Sequence, residues 1–85
     1  MLKSTEIVQK AKQQISELTG LKPDTVSKLD RNEENWCVNL EMLEVHRIPD
    51  SNDVLATYET VLDQAGNLMR YQRTKRYYRS QVDMS

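Results

Sequence analysis

Few residues in this chain could do covalent or metal chemistry. Its 85 residues include one histidine, His46, and one cysteine, Cys37. A thiolate beside a histidine can act as a nucleophile. However, Cys37 stands between Trp36 and Val38 in a strand-like segment, where a small packing role fits it better. His46, near the end of the same segment, is typical of a half-exposed structural histidine. Neither residue therefore predicts catalysis.

Two carboxylates, Asp50 and Asp53, stand three positions apart in one loop and could bind a cation. Their DSND segment lacks the fuller ligand set of a calcium loop, so capping of a turn is the better interpretation. The chain has two glycines, and its sequence contains no glycine-rich phosphate loop, no GxSxG and no HExxH. We therefore predict a protein that is not an enzyme and that has no cofactor and no bound metal.

Composition narrows the class of protein. A formal net charge of −1 argues against a purely electrostatic nucleic-acid binder. No apolar run approaches the roughly 20 residues of a membrane-spanning helix. The first twenty residues lack a signal-peptide core, and a single cysteine suits the reducing cytoplasm. We therefore expect a cytoplasmic protein without a membrane span, with one domain over residues 1–85. Its thin core favours association with a partner or a homodimer through the sheet.

Apolar periodicity predicts one helix followed by strands. The helix covers about 4–19, with Ser4 as the expected N-cap and Gly20 just past its end. A phase slip after Met42 indicates a β-bulge or a twist that buries both faces locally, and Gly66 indicates a tight hairpin turn. Alternating residues predict strands at about 24–30, 35–47, 54–63 and 68–79. The predicted fold is α+β, with one N-terminal helix packed on a curved antiparallel sheet of three or four strands.

The near-neutral total conceals a segregation of charge along the chain. Residues 1–32 carry a net charge of +2, residues 33–63 carry −7, and residues 64–85 carry +4. The last predicted strand is thus basic and rich in tyrosine, beside acidic neighbours. Simple alternation places one series of its side chains on a single face: Met69, Tyr71, Arg73, Lys75, Tyr77 and Arg79.

Three interpretations of this basic strand stay open. Its arginines and tyrosines could pair with Glu41, Glu44 and Glu59 across the sheet. They could form a protein interface, because arginine and tyrosine combine apolar area with hydrogen bonding. They could also stack on single-stranded nucleic acid, which the acidic neighbours disfavour because they repel phosphate. A ligand pocket between helix and sheet has weaker support, since the inner face of the helix lacks convergent polar residues.

Motifs in a fixed order along the chain resemble the gas vesicle protein O family. The similar region covers about residues 7–79. The resemblance implies a small, non-enzymatic accessory protein that assists gas vesicle formation in the cytoplasm, where it could associate with the vesicles. Its partners would be other gas vesicle proteins, both accessory and shell proteins. The motifs are WxVxxExxE from Trp36, RIPD from Arg47, DVLAxYE from Asp53, LDxxG from Leu62 and YxRxxRYxR from Tyr71.

We predict that the open sheet face and the RIPD loop together form a docking surface for these partners. The alternative function is a single-stranded nucleic-acid-binding module that regulates expression of the vesicle cluster. The predicted interaction surface comprises Arg47, Asp50, Asp53, Glu59, Tyr71, Arg73, Arg76, Tyr77 and Arg79.

Overall fold

A computed structural model of the chain describes residues 2–81, which form one α-helix and a four-stranded antiparallel sheet. The order of the strands in the sheet follows the chain, β1-β2-β3-β4, and the sheet is not closed. The predicted α+β class is confirmed. Within the described part of the chain, no helix combines the length and apolar character that a membrane crossing requires. The elements are α1 (Ser4–Thr19), β1 (Lys22–Arg31), β2 (Asn35–Val45), β3 (Val54–Asp63) and β4 (Leu68–Tyr78), with 3-10 turns at Asp50–Asn52 and Arg79–Gln81.

Backbone N–H groups at both ends of α1 donate hydrogen bonds that fix where the helix begins and ends. Lys3 is the N-cap, and its N–H donates to the Glu6 carboxylate at 2.9 Å. The prediction of Ser4 as N-cap was wrong by one residue, because an acidic residue in the first turn can satisfy this donor without a hydroxyl cap. At the other end, Gly20 adopts a φ of 74°, and its N–H donates to the carbonyl of Ser16.

The core lies between α1 and one face of the sheet. Leu40 of β2 lies opposite Tyr58 of β3, and both side chains are buried against the helix. Facing residues of an antiparallel pair lie on the same side of a sheet, so alternate positions of both strands build this core. We call the opposite side the open face. The core side chains are Ile7, Ala11 and Ile15 of α1, with Trp36, Val38, Leu40, Met42, Ala56, Tyr58 and Leu62 of the sheet.

Hydrogen bonds fix α1 obliquely across the sheet. The Gln14 side chain donates to the Gly66 carbonyl at 2.8 Å and accepts from the Leu68 N–H at 2.9 Å. These bonds hold the middle of the helix over the β3–β4 hairpin. The C-terminal turn approaches the start of β1, where Ser16 Oγ donates to the Leu21 carbonyl. Farther along β4, the residues on the helix side stay exposed: Tyr71, Arg73, Arg76 and Tyr78.

Register shifts change which side chains share a face. The shift between Leu43 and Val45 in β2 confirms the predicted bulge. In β4, Arg73 lies opposite Tyr58 and Lys75 lies opposite Thr57, so Thr74 is an extra residue.

The shift at Thr74 corrects the single basic and aromatic face that alternation predicted for the last strand. Tyr71 and Arg73 lie on the helix side, whereas Tyr77 lies opposite Leu55 on the open face. Arg79 follows the strand, in a 3-10 turn. The outcome differs from the prediction because a bulge reverses the alternation beyond it.

Candidate functional site

A polar groove of about 760 Å³ lies on the open face. All four strands contribute to it, together with the residue that follows β4. We call it the open-face groove. It is lined by Asp24, Thr25, Ser27, Asn39, Glu41, Leu55, Thr57, Thr74, Lys75, Tyr77 and Arg79.

Glu41 lies in this groove, and only 8% of its surface is exposed. Ser27 Oγ donates to one carboxylate oxygen at 2.6 Å, and Thr57 Oγ1 donates to the other at 2.7 Å. The Tyr77 hydroxyl donates to the same oxygen as Thr57. Burial opposes ionisation, but these three hydroxyls and the charge of Lys75 together lower the pKa of Glu41. Burial and the adjacent carboxylate raise the pKa of Tyr77. Glu41 is therefore an ionised acceptor held by three strands.

Arg79 connects the two edges of the sheet at one end of its strands. Its Nη2 donates to the Asp24 carboxylate of β1 at 3.1 Å, and its Nε donates to the Asp53 carboxylate at 3.2 Å. Its backbone N–H also donates to the Asp53 carbonyl. The hydrogen bond from Arg79 to Asp24 raises the pKa of Arg79, and burial only partly opposes this effect. Arg79 thus has a structural role in this fold.

Asp53 organises the RIPD loop. Its Oδ1 accepts the Arg47 backbone N–H at 2.7 Å and lies 3.1 Å from His46 Nδ1. The Arg47 N–H lowers the pKa of Asp53, with Arg79 and His46 adding to this effect against the opposing effect of burial. His46, Asp50 and Asp53 bring candidate metal-ligand atoms within 4.8 Å of one another. The Asp53 oxygens are already hydrogen-bonded, and a guanidinium adjoins them, which supports the turn-capping interpretation.

Glu44 binds two arginines on the helix side of the sheet. Arg73 Nη1 lies 3.1 Å from one carboxylate oxygen, and Arg76 Nε lies 2.9 Å from the other. The predicted pairing of the basic strand with acidic residues is therefore confirmed at Glu44. At Glu41 the pairing is a hydrogen bond from the Tyr77 hydroxyl of the same basic strand rather than an ion pair, and Glu59 forms no ion pair within residues 2–81.

A smaller cavity, of about 250 Å³, lies beside these ion pairs, where the RIPD loop meets β4. We call it the corner pocket. Its lining contains two arginines and no acidic residue. The Arg47 guanidinium forms no ion pair in the described part of the chain. The pocket is lined by Arg47, Val54, Arg76, Tyr77 and Tyr78.

The structure divides the predicted interaction surface into separate regions. Tyr77 and Glu59 lie on the open face, and Tyr71 and Arg73 lie on the helix side. The loop residues adjoin the end of β4: Asp53 binds Arg79, Asp50 begins the 3-10 turn beside it, and Arg47 lies with Arg76 in the corner pocket.

Sequence reasoning missed the hydroxyl network around Glu41. A carboxylate in the middle of an apolar strand was the available signal, because a buried charge requires partners. The partners themselves are common polar residues. Ser27 lies at a bulge and Thr57 faces Glu41 directly, and neither relationship is readable without the register.

Comparisons with known proteins agree with the motifs. A family described as "Gas vesicle synthesis protein GvpO" matches residues 1–83. "Gas vesicle protein O" of Streptomyces sp. (strain CB03234) is 44% identical over 72 residues, which cover 85% of this chain and 56% of that protein. "Gas vesicle protein O1" of Halobacterium salinarum is 33% identical over 55 residues, covering 65% of this chain and 46% of the relative.

A third relative, "Gas vesicle protein O" of Haloferax mediterranei, is 27% identical over 74 residues, which cover 86% of this chain and 53% of that protein. The chain thus spans about half the length of the relatives it matches. No solved structure matches it. The family match extends over nearly the whole sequence, and the first relative exceeds 40% identity. The chain belongs to the gas vesicle protein O family.

Proposed function

We propose that this chain is a non-enzymatic accessory protein that assists gas vesicle formation through contacts with other gas vesicle proteins. Membership of the family and the printed names of the relatives support a role connected with gas vesicles. We propose further that it acts in the cytoplasm, in contact with accessory or shell proteins, and that residues 1–85 fold as one domain. Self-association through the sheet is one of the contacts to be tested.

The observation that supports this proposal most is the exposed helix side of β4. Met69, Tyr71 and Tyr78 are large side chains with about half of their surface exposed, at 53%, 41% and 53%. Tyr71 and Tyr78 lie on the helix side of the sheet with the exposed Arg73 and Arg76, and Met69 is the extra residue at the register shift between Leu68 and Arg70. Tyrosine and arginine are favoured in protein interfaces, so this surface suits a partner protein.

The hydrogen bonds and ion pairs within the open-face groove support a structural role for its polar residues. Both Glu41 oxygens accept hydrogen bonds from the chain's own hydroxyls, and Arg79 binds two carboxylates. Polar groups that already hydrogen-bond to each other have few donors or acceptors left to bind a substrate.

The nucleic-acid alternative rested on a tyrosine and arginine stripe along one face. The bulge at Thr74 separates Tyr71 and Arg73 from Tyr77, and Arg79 binds carboxylates. A continuous stacking surface for bases is therefore not formed by these residues, and we do not propose this function.

Deletion of the chain in vesicle-forming cells, followed by complementation, tests the proposal. We expect loss of buoyant vesicles on deletion and recovery with the wild-type chain. A photo-reactive residue at position 71 should cross-link to other vesicle proteins. The same residue at Glu33, in the exposed β1–β2 loop, is the matched control. Normal vesicles in the deletion strain, or equal cross-linking from both positions, would contradict the proposal.

A further inference from the structure

We propose that the corner pocket binds a carboxylate from an acidic segment of a partner protein. The inference rests on the proposed function and adds the chemistry that the partner must present.

The lining of the pocket has an unbalanced charge. Arg47 and Arg76 are its charged residues, and no carboxylate lines it. The open-face groove is different, because Asp24 and Glu41 there oppose Lys75 and Arg79. The electrostatic stabilisation of a bound anionic group would therefore be greater in the corner pocket than in the open-face groove.

The main chain at Arg47 and the side chain of Arg76 are held in place, and both guanidinium groups retain donors. The Arg47 N–H is bound by Asp53 at 2.7 Å, which fixes the main chain of the loop. Its guanidinium forms no ion pair within residues 2–81. Arg76 contacts Glu44 through Nε at 2.9 Å. A guanidinium has five N–H donors in a planar fork that matches a carboxylate, so each arginine can serve a second acceptor.

The remaining lining favours a protein side chain over a polyanion. Val54 is apolar and 7% exposed, and Tyr78 is 53% exposed at the same site. Apolar and aromatic walls suit the methylene groups of an aspartate or glutamate. Glu44, which binds Arg76 beside the pocket, would repel a chain of phosphates. A cavity of about 250 Å³ suits a single side chain.

Titration of the isotope-labelled chain with a capped peptide that carries one glutamate among uncharged residues, followed by nuclear magnetic resonance, tests the inference. We expect amide shifts centred on Arg47, Val54 and Arg76. Arg47→Glu should weaken binding at least about tenfold, because it replaces a donor by a repelling charge. Arg47→Gln removes the charge without adding one, and should weaken binding less than Arg47→Glu while keeping the native spectrum.

Arg70→Glu is the matched control. Arg70 is exposed, forms no ion pair within the described residues and lies opposite Val61, on the open face. Arg70→Glu changes the net charge by the same amount as Arg47→Glu, but Arg70 does not line the corner pocket. We therefore expect its affinity for the peptide to stay within about twofold of the wild type. Equal weakening by both reversals, shifts centred on the open-face groove, or inorganic phosphate binding as tightly as the peptide would each overturn the inference.

The outcome is separable from that of the proposed function. If vesicles require the chain but Arg47→Glu binds the peptide normally, only the pocket assignment fails. If the pocket binds the peptide as expected but deletion leaves vesicles unchanged, the proposed function fails and the pocket remains.

Discussion

Arg79 Nη2 lies 3.1 Å from the Asp24 carboxylate, although the two residues belong to opposite edges of the sheet. The outer strands of a flat four-stranded sheet are about 14 Å apart, farther than one arginine side chain reaches. The contact therefore indicates that the sheet bends toward its open face at this end. Register shifts in β1 and β4 contribute to such bending, because each bulge increases local twist.

Loss of this contact should loosen the edges of the sheet. Arg79→Met keeps the aliphatic stem but leaves Asp24 and the buried Asp53 without their cation. We expect the melting temperature to fall by about 5 °C or more, with faster amide exchange in β1 by mass spectrometry. Arg70→Met, at an exposed arginine without an ion pair in the described chain, should leave both measurements unchanged. Equal effects of the two substitutions would show that the ion pairs of Arg79 do not stabilise the edges of the sheet.

The Tyr77 hydroxyl should stabilise the fold through Glu41. Tyr77→Phe removes one of three donors to a buried carboxylate, and hydrogen bonds to charged groups contribute about 1.5–3 kcal/mol. We expect a decrease of this size in the free energy of unfolding, measured with urea. Tyr71→Phe is the control, because the 41% exposed Tyr71 donates to no carboxylate in the described part of the chain, and its effect should stay within about 0.5 kcal/mol. Similar values for both variants would contradict this role.

Stability should decrease in acid because of Glu41 and Asp53. Their pKa values in the folded chain lie below the reference values of 4.5 and 3.8. As pH falls, these carboxylates take up protons in the unfolded chain before they do so in the folded chain. Their full contribution to the free energy of unfolding is therefore present above the reference pKa values, and it is lost as pH falls through the lowered pKa values of the folded chain. We expect the urea midpoint to be steady from about pH 7 to about pH 6 and to fall by about pH 3. Glu41→Gln should make the urea midpoint depend less on pH. An unchanged pH dependence in this variant would exclude Glu41 as a cause of the loss of stability in acid.

Part of this arrangement could be predicted from residues alone. The strand from Val54 to Asp63 has the predicted bounds, because its alternation is regular and a loop and a glycine turn flank it. The predicted strand at 24–30 begins at Lys22 instead, since pairing with Leu43 extends it through Pro23. Local patterns carry no information about such pairing.

The candidate site depends on register more than on residue type. Arg73 and Tyr77 were both identified as surface candidates, but one extra residue, Thr74, places them on opposite faces. The corner pocket likewise forms between a loop and a strand about thirty positions apart in sequence, at Arg47 and Arg76. The motifs identify both arginines as candidates, but they do not predict that the two side chains line the same pocket.

Glu44 should determine the effect of charge reversal on β4. Arg73→Glu with Arg76→Glu would place two new carboxylates beside Glu44, so we expect a lower melting temperature. Adding Glu44→Gln should recover part of the loss, because it removes the shared repulsion. Each exposed ion pair contributes about 0.2–1 kcal/mol, so the combined effect is modest. Calorimetry of the wild type, the double variant and the triple variant tests this coupling. No recovery in the triple variant would contradict it.

The nearest-neighbour order of the strands has a consequence for folding kinetics. Each strand pairs with the next along the chain, so the sheet can grow by local hairpins with little loop-closure entropy. Two hydrogen bonds close much longer loops: Gln14 with Leu68, and Arg79 with Asp24. These contacts should form after the hairpins, so substitutions there would mainly accelerate unfolding and leave the folding rate little changed.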